Sequence, residues 1–423
     1  NSYKISWEGD MKKFLIILSI LMSPFISVSS SSAGEVLLHT FVNTHARFFE
    51  AQAERYKKEV DPNFNLTIVE VPYGQLYDQV TASLASGGLG APDIVDMEQG
   101  AFGRFLMGGD PGFVDMNSLR TSACSMDDFV SSRLSLYTWN GITYGYEHAL
   151  TPVVYYYHTE PFEKAGIDPA DIKTWDEWSG IMKEMGVAGM SITPSYWHLL
   201  LKQAGADYFD ADGNVTINSE LSISVLEWMK QQYDDGTIIL QPDGAAQYAV
   251  HRDGDVIGNA GADWYGGFFR DNLPELEGKM KAAPLPAWKE GGSRTSVFGG
   301  TAPMIVKTSK NIDDAYKFLE FAQCSVEGAV SRYQLTTLFP PYYPAMDDER
   351  LLKPDPYFSN QVLGKVFRDI SQKIPKQYQS PYRTFLEGEV GKIFNDIMEG
   401  AISPADAANQ IADKVKEEMD FNS

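Results

Sequence analysis

Apolar positions along this chain follow two periods. "EVLLHTF" at 35–41 is an apolar-rich run of strand length, and the segment after it places Phe49, Ala53, Tyr56 and Val60 three or four residues apart, on one helix face. "LTIVEV" at 66–71 predicts a second strand. Tyr77, Val80 and Leu84 then mark a helix stopping near Gly87, and "DIVDM" at 93–97 predicts a third strand. Such alternation points to a largely parallel sheet with helices on both faces. The pattern restarts after residue 152. "VVYYYH" is strand-like, and "KTWDEWSGIMKEMG" is a helix opened by a Thr174/Glu177 capping box, with an apolar face of Trp178, Ile181, Met182 and Met185 and a stop at Gly186. Leu221, Val225, Leu226, Met229 and Tyr233 predict another helix. So do Ala315, Phe318, Leu319 and Ala322, and, after Ser403-Pro404, Ala407, Ile411, Val415 and Met419. Two α/β lobes follow.

Length agrees: 423 residues at 43% hydrophobic exceed one compact unit. From Met11 the chain reads "MKKFLIILSILMSPFISVSSSSAGE", with two lysines, a short apolar run and small residues up to Ala33. This is the pattern of a secretory signal peptide, so 1–33 is expected to be an upstream extension plus signal, cleaved after Ala33. No cysteine lies near that point to take a lipid, and the expected location is the periplasm. No other apolar run reaches the roughly 18 residues of a membrane helix. Net charge is −22, which argues against a nucleic-acid partner, because phosphate binding needs a basic footprint. In an oxidising compartment the two cysteines, Cys124 and Cys324, form either one bridge or two buried thiols.

In open α/β sheets, ligands sit beyond the carboxyl ends of strands. That rule selects Asn43, Thr44 and His45 after the first strand and Glu98 and Gln99 after the third, with helix capping the competing use at both places. It also selects Tyr196 and Trp197 after "MSIT". In "GNAGADWYGGFF" at 258–269, Trp264 and Tyr265 stand among glycines and alanines with no apolar stripe. Small residues would let backbone approach a ligand, and flat rings would stack on it. The Tyr/His run of "VVYYYH" suggests ferric ligands, but strand alternation splits Tyr155 and Tyr157 from Tyr156 and His158. "DADGN" at 210–214 lacks calcium-loop spacing. No GxSxG, HExxH, CxxC, P-loop or GxGxxG pattern occurs. The 57 acidic residues leave a glycosidase pair open but nominate none.

Three ordered stretches carry a family likeness: "ASGGLGAPDIVDM", "WNGITYGYEHALTPVVYYYHTEPFEKAGIDPADIKTWDEW" and "FGGTAPMIVKTSKNIDDAYKFLEF". Together they resemble the extracellular solute-binding proteins of carbohydrate-uptake ABC transporters, the family of maltose-binding protein. The resemblance implies a two-lobe, type II-like periplasmic binding protein fold, each lobe a mostly parallel sheet flanked by helices, with hinge crossovers. It implies a first lobe of 34–149 with 300–341 and a second of 150–299 with 342–423, crossing near 148–152, 299–302 and 341–344.

It further implies a non-catalytic monomer without cofactor or metal that holds a mono- or oligosaccharide between its lobes and delivers it to permease subunits. Its contacts would be Asn43, Thr44, His45, Glu98 and Gln99 from the first lobe and Gly300 and Tyr342 at the crossings. The second lobe would add Tyr196 or Trp197, Trp264 with Tyr265 beneath it, and Tyr382 with Arg383. Two departures stand out: Glu147 where the family often has proline, and His158 where it usually has asparagine. Members also bind glycerol phosphates and polyamines. Those ligands, ferric iron, or a secreted carbohydrate-active enzyme are the alternatives.

Overall fold

A computed structural model describes residues 35–422, so the expected signal segment lies outside the described residues. Glu35–Thr40, Asn65–Glu70 and Ile94–Glu98 form the parallel strands of the first sheet, and Thr301–Ile305 runs antiparallel beside Ile94–Glu98. Helices Asn43–Glu59, Tyr73–Ala85 and Gln99–Leu106 follow the three parallel strands. Val36 and Leu38 are fully buried. The "LTIVEV" run instead forms an edge strand, half-buried at Leu66 and Ile68 and open to solvent at Val69.

The second lobe has the same logic with a different pairing. Val154–His158 lies between Met280–Pro284 and Gly258–Gly261, antiparallel to both. Met190–Ile192 pairs in parallel with Ile238–Leu240, and a parallel bridge from Ala188 to Val256 ties them to the Gly258–Gly261 strand. Each lobe therefore contains one opposed strand, the one by which the chain enters from the other lobe. Strand alternation divides the tyrosines as the pattern requires. Tyr155 and Tyr157 join the core around Trp178, and Tyr156 joins a separate core with Phe269 and Phe358. The hydroxyls of Tyr155 and Tyr156 donate to the carbonyls of Gly189 (2.9 Å) and Ala262 (3.0 Å), which occupies them as protein donors.

Helix Asn43–Glu59 starts after Val42 with no side-chain cap, so neither Asn43 nor Thr44 caps it, but capping elsewhere follows the sequence. Thr174 and Glu177 form both bonds of a capping box on Trp175–Met185, and Ser403 caps Pro404–Phe421. In "DADGN", Asp210 accepts from the backbone of Asp212 and Asn214, a self-contained polar turn. Helices Arg383–Met398 and Pro404–Phe421 pack into the second lobe through Leu386, Phe394, Ile397, Ile411 and Val415. The first turn of Arg383–Met398 and the segment just before it also reach the first lobe. Thr384 Oγ1 donates to Gly100 O at 2.7 Å and Gln379 Nε2 to Gln99 O at 3.0 Å. Gly103 makes this approach feasible, since a Cβ there would lie 2.6 Å from Ser380 O.

Cys124 and Cys324 are bridged, with Cα atoms 5.2 Å apart. The bond ties the loop at Cys124 to the end of helix Ile312–Gln323 and closes a span of 200 residues. Closing so long a loop removes much of the unfolded chain's entropy.

Candidate functional site

A cavity of about 430 Å³ opens between the lobes. Its volume falls in the roughly 300–1,000 Å³ range of small-molecule sites. Thr44, His45, Glu98 and Gln99 of the first lobe, Gly300 of the return crossing and Trp264 of the second lobe line it together. Glu98 both lines the cavity and caps a helix. Its Oε2 accepts from Gly100 N (2.7 Å) and Ala101 N (3.2 Å), capping helix Gln99–Leu106, and from Tyr73 OH at 2.9 Å on the cavity wall.

Other expected residues lie elsewhere. Asn43 turns outward and donates to Glu70 Oε1 at 2.8 Å. Tyr196 and Trp197 are fully buried, Tyr196 donating to Asn259 Oδ1 (2.7 Å) and Trp197 to Ser222 O (3.0 Å). They sit on the core face of helix Ser195–Ala204, whose cavity face is Ser195, His198 and Lys202. Tyr342 packs against Phe129 in the first lobe, with ring centroids 5.2 Å apart, and Leu338 lines the cavity in its place. The chain just before Tyr342 is tied to both neighbouring passages: Phe339 N donates to Asp263 Oδ2 (2.8 Å) and Leu150 N to Phe339 O (2.8 Å). Tyr382 precedes helix Arg383–Met398 and packs on the second core. Arg383 is buried, bonded to Tyr378 O and facing Asp207 at 3.6 Å, while Glu387, one turn later, lines the cavity.

Trp264 lines the cavity from the start of helix Asp263–Asn272. Tyr265 stacks on one face of its ring at 4.2 Å, Phe268 meets the ring edge-on at 5.3 Å, and its Nε1 donates to Phe298 O at 2.9 Å. Asp263, fully buried, accepts from Trp264 N (2.9 Å) and Phe339 N (2.8 Å), fixing the helix start. The surrounding glycines serve protein packing and not ligand approach, which corrects the sequence expectation. A Cβ at Gly258 would lie 2.4 Å from Tyr155 Oη, one at Gly261 2.7 Å from Tyr265, and one at Gly267 2.8 Å from Thr336 O.

Beneath His45 lies a buried carboxylate. Asp96 accepts from Thr40 Oγ1 (2.7 Å) and pairs with His45 Nδ1 (2.6 Å) and His148 Nε2 (2.7 Å), and the two imidazoles stack 4.7 Å apart. Burial opposes the charge of Asp96, but these partners hold it below the usual carboxylate range. Three such groups within 4.8 Å form a possible metal triad by composition, yet both imidazoles point their bonded nitrogens at Asp96 and the hydrogen bonds account for the cluster. On the opposite wall His198 pairs with Asp207 Oδ1 at 2.6 Å.

Burial pulls His148 and His198 down to about 3. Because exposed histidine titrates near ~6.5, the unfolded chain binds more protons than the folded one between these values. Stability therefore falls as pH drops through that window, by on the order of 1 kcal/mol per histidine at pH 5. Asp263 and Glu387, pushed up by burial to about 8 and about 7, act in the opposite sense over the same range, so the histidine part is read by comparison: calorimetry should give a smaller fall in unfolding midpoint from pH 7 to pH 5 for His198→Gln than for wild type, and equal falls would contradict this assignment.

The floor is formed by the crossings. Glu147, fully buried, pairs with Arg133 Nη2 at 3.0 Å and accepts from Thr301 N at 2.8 Å. Arg133 donates in turn to Gly299 O at 2.9 Å. Gly300 has φ +146°, and a Cβ there would lie 2.2 Å from Arg133 Nη2, so the ion pair requires glycine at this position.

The sequence reasoning missed His198, Lys202 and Glu387. Their signal was spacing: Ser195, His198 and Lys202 form the polar stripe of an otherwise apolar helix, and Glu387 lies one turn beyond Arg383.

Residues 43–323 match the family model described as bacterial extracellular solute-binding protein. An arabinooligosaccharide-binding protein of Bacillus subtilis (strain 168) is 32% identical over 87% of this chain and 90% of its own length. Another protein of that name, from Halalkalibacterium halodurans, is 29% identical over 92% of this chain and 90% of its own. Among solved structures, an ABC transporter associated binding protein from B. animalis subsp. lactis Bl-04, in complex with beta-1,6-galactobiose, has a TM-score of 0.77 at 17% identity, covering 92% of this chain and 98% of that one. That likeness is one of fold. By the extent of the family match and of the B. subtilis similarity, this chain belongs to the bacterial extracellular solute-binding proteins.

Proposed function

We propose that this protein is the substrate-binding component of an ABC importer and captures a neutral oligosaccharide, of the arabinose-containing class, in the cavity between its lobes. The observation that carries the reading is that Trp264, a platform with one face already backed by Tyr265, shares one cavity with the polar groups of His45, Glu98, Lys202 and Glu387. Stacking supplies apolar contact, and the polar groups select hydroxyl positions. The names of the two relatives from Bacillus and Halalkalibacterium support the arabinose class.

In this reading the lobes are 34–149 with 300–341 and 150–299 with 342–423. The protein acts as a monomer in the periplasm, closes by bending at its crossings, presents the closed form to the permease, and releases its ligand chemically unchanged. Closure follows because a ligand touching both lobes binds the closed state better.

A thermal-shift panel of arabino-oligosaccharides, malto-oligosaccharides, galactobiose and polyamines tests the reading. A ligand at 100 times its Kd stabilises the folded state by about 2.7 kcal/mol, and arabino-oligosaccharides should give the largest rise in midpoint. A shift produced by polyamines alone, or recovery of hydrolysed sugar after incubation, would overturn it.

A further inference from the structure

Lys202 is an ammonium without a protein partner. It is 2% exposed, it lines the cavity from helix Ser195–Ala204, and among the described residues its Nζ makes no hydrogen bond or ion pair. Keeping such a group buried is costly unless something else completes it. Asp207 does not serve, because its oxygens are taken by His198 Nε2, Tyr208 N and Tyr378 N.

Facing the same cavity are two carboxylates with capacity to spare. Glu98 spends Oε2 on three donors, and among the described residues Oε1 accepts from none. Glu387 has only a loose contact with Arg383 Nη1 at 3.5 Å, and about a third of its side chain, 36%, is exposed, on the cavity side. The two converge over Gly100, where a Cβ would lie 2.7 Å from Glu387 Oε2 and 2.9 Å from Glu98 Oε2.

We infer that Lys202, Glu387 and Glu98 form a subsite for one neutral ring of the ligand, Lys202 donating to a ring hydroxyl oxygen and the carboxylates accepting hydroxyl hydrogens. The inference rests on the oligosaccharide reading above and adds a specificity to it. A hydroxyl both donates and accepts, which matches a site holding an unused donor and unused acceptors. Arg133 with Glu147 and Arg383 with Asp207 are mutually paired, so the groups left for the ligand are one donor, Lys202, and the acceptors of Glu387 and Glu98. A uronate carboxylate would set an acceptor against those acceptors where a neutral ring supplies a hydroxyl hydrogen.

Burial pulls Lys202 down to about 7 and pushes Glu387 up to about 7. The charged groups facing the pair are Asp207, Arg383, Arg133 and Glu98, with His198 one turn before Lys202. The ammonium is lost as pH rises through 7 and the Glu387 carboxylate is lost as pH falls through it. Affinity through this subsite should peak near neutrality.

Isothermal titration of the full protein with arabinotriose and with an aldotriouronic acid, from pH 5.5 to 8.5, tests the assignment on wild type, Lys202→Met, Lys202→Gln and Glu387→Gln. Lys202→Met should bind arabinotriose at least tenfold more weakly at pH 7 and lose the alkaline decline. Lys202→Gln, which keeps a donor, should fall between, and Glu387→Gln should lose the acid decline. Removing a buried charge should leave the unliganded midpoint of Lys202→Met unchanged or raised. Variants within twofold of wild type with its pH profile, or wild type preferring the uronate, would overturn the subsite while sugar binding stands. Wild type binding no neutral oligosaccharide would overturn the function reading itself.

Discussion

Trp264→Ala is expected to weaken oligosaccharide binding at least 30-fold while the protein remains folded. Trp264 lines the cavity with Tyr265 stacked on its ring at 4.2 Å, and its Nε1 is fixed by Phe298 O at 2.9 Å. The ring is thus held in place before ligand arrives, and little ordering cost remains to be met on binding. Central, pre-ordered aromatics of this kind cost about 2 kcal/mol or more on truncation, which is a factor of about 30. Trp264→Phe separates the contributions. It keeps a stacking surface but loses the bond to Phe298 O, so its affinity should lie between wild type and alanine. Fluorescence titration with arabino-oligosaccharides measures both. An alanine variant within threefold of wild type would mean that the ligand does not use this platform.

What the sequence reveals and conceals about this site follows from helix geometry. Strand and helix order, the capping box at Thr174 and the doubled α/β pattern were readable because each depends on local spacing. Thr44, His45, Glu98, Gln99 and Trp264 were readable as residues just beyond strand ends. Direction around a helix was harder. In "SYWHLLLK" the rings of Tyr196 and Trp197 looked like the binding surface, but they are buried in the core with Leu199, Leu200 and Leu201, leaving His198 and Lys202 to the cavity. An amphipathic helix that lines a pocket reverses the usual reading, since its polar stripe faces inward. The placement of Tyr342 failed for another reason. It depends on how three distant passages of chain stack, and Leu150 selects Phe339 as its partner by a backbone bond that no local pattern encodes. Asp96 escaped notice because it lies mid-strand, behind His45, which it orients in the first turn of helix Asn43–Glu59.

The glutamate that departs from the family's proline carries the largest expected effect on stability. Glu147→Ala should destabilise the protein by about 3–5 kcal/mol, the cost of leaving a buried charge without its partner. Arg133 is 1% exposed, and without Glu147 only the neutral oxygens of Gly299 and Gln377 would answer it. Thr301 N and Ala149 N would lose an acceptor as well. Glu147→Gln retains an acceptor for these amides but removes the charge, so its loss should be smaller. Removing the arginine too should recover much of the loss, because replacing both members of a buried ion pair is far less costly than orphaning one. Arg133→Met/Glu147→Gln should therefore be more stable than Glu147→Ala, although it carries more changes. Urea denaturation at pH 7 of wild type, Arg133→Met, Glu147→Gln and their double variant gives the coupling directly, with Glu147→Ala measured beside them. A Glu147→Ala variant within 1 kcal/mol of wild type, or a double variant no better than the single, would show that the crossings do not depend on this pair. The geometry argues that they do. Glu147 lies in the outgoing crossing and Thr301 in the return, and the Gly299 carbonyl held by Arg133 precedes Gly300, whose conformation leaves room for the pair. A strut at this point couples both passages of the hinge, so its loss should also weaken ligand binding even where Trp264 is intact.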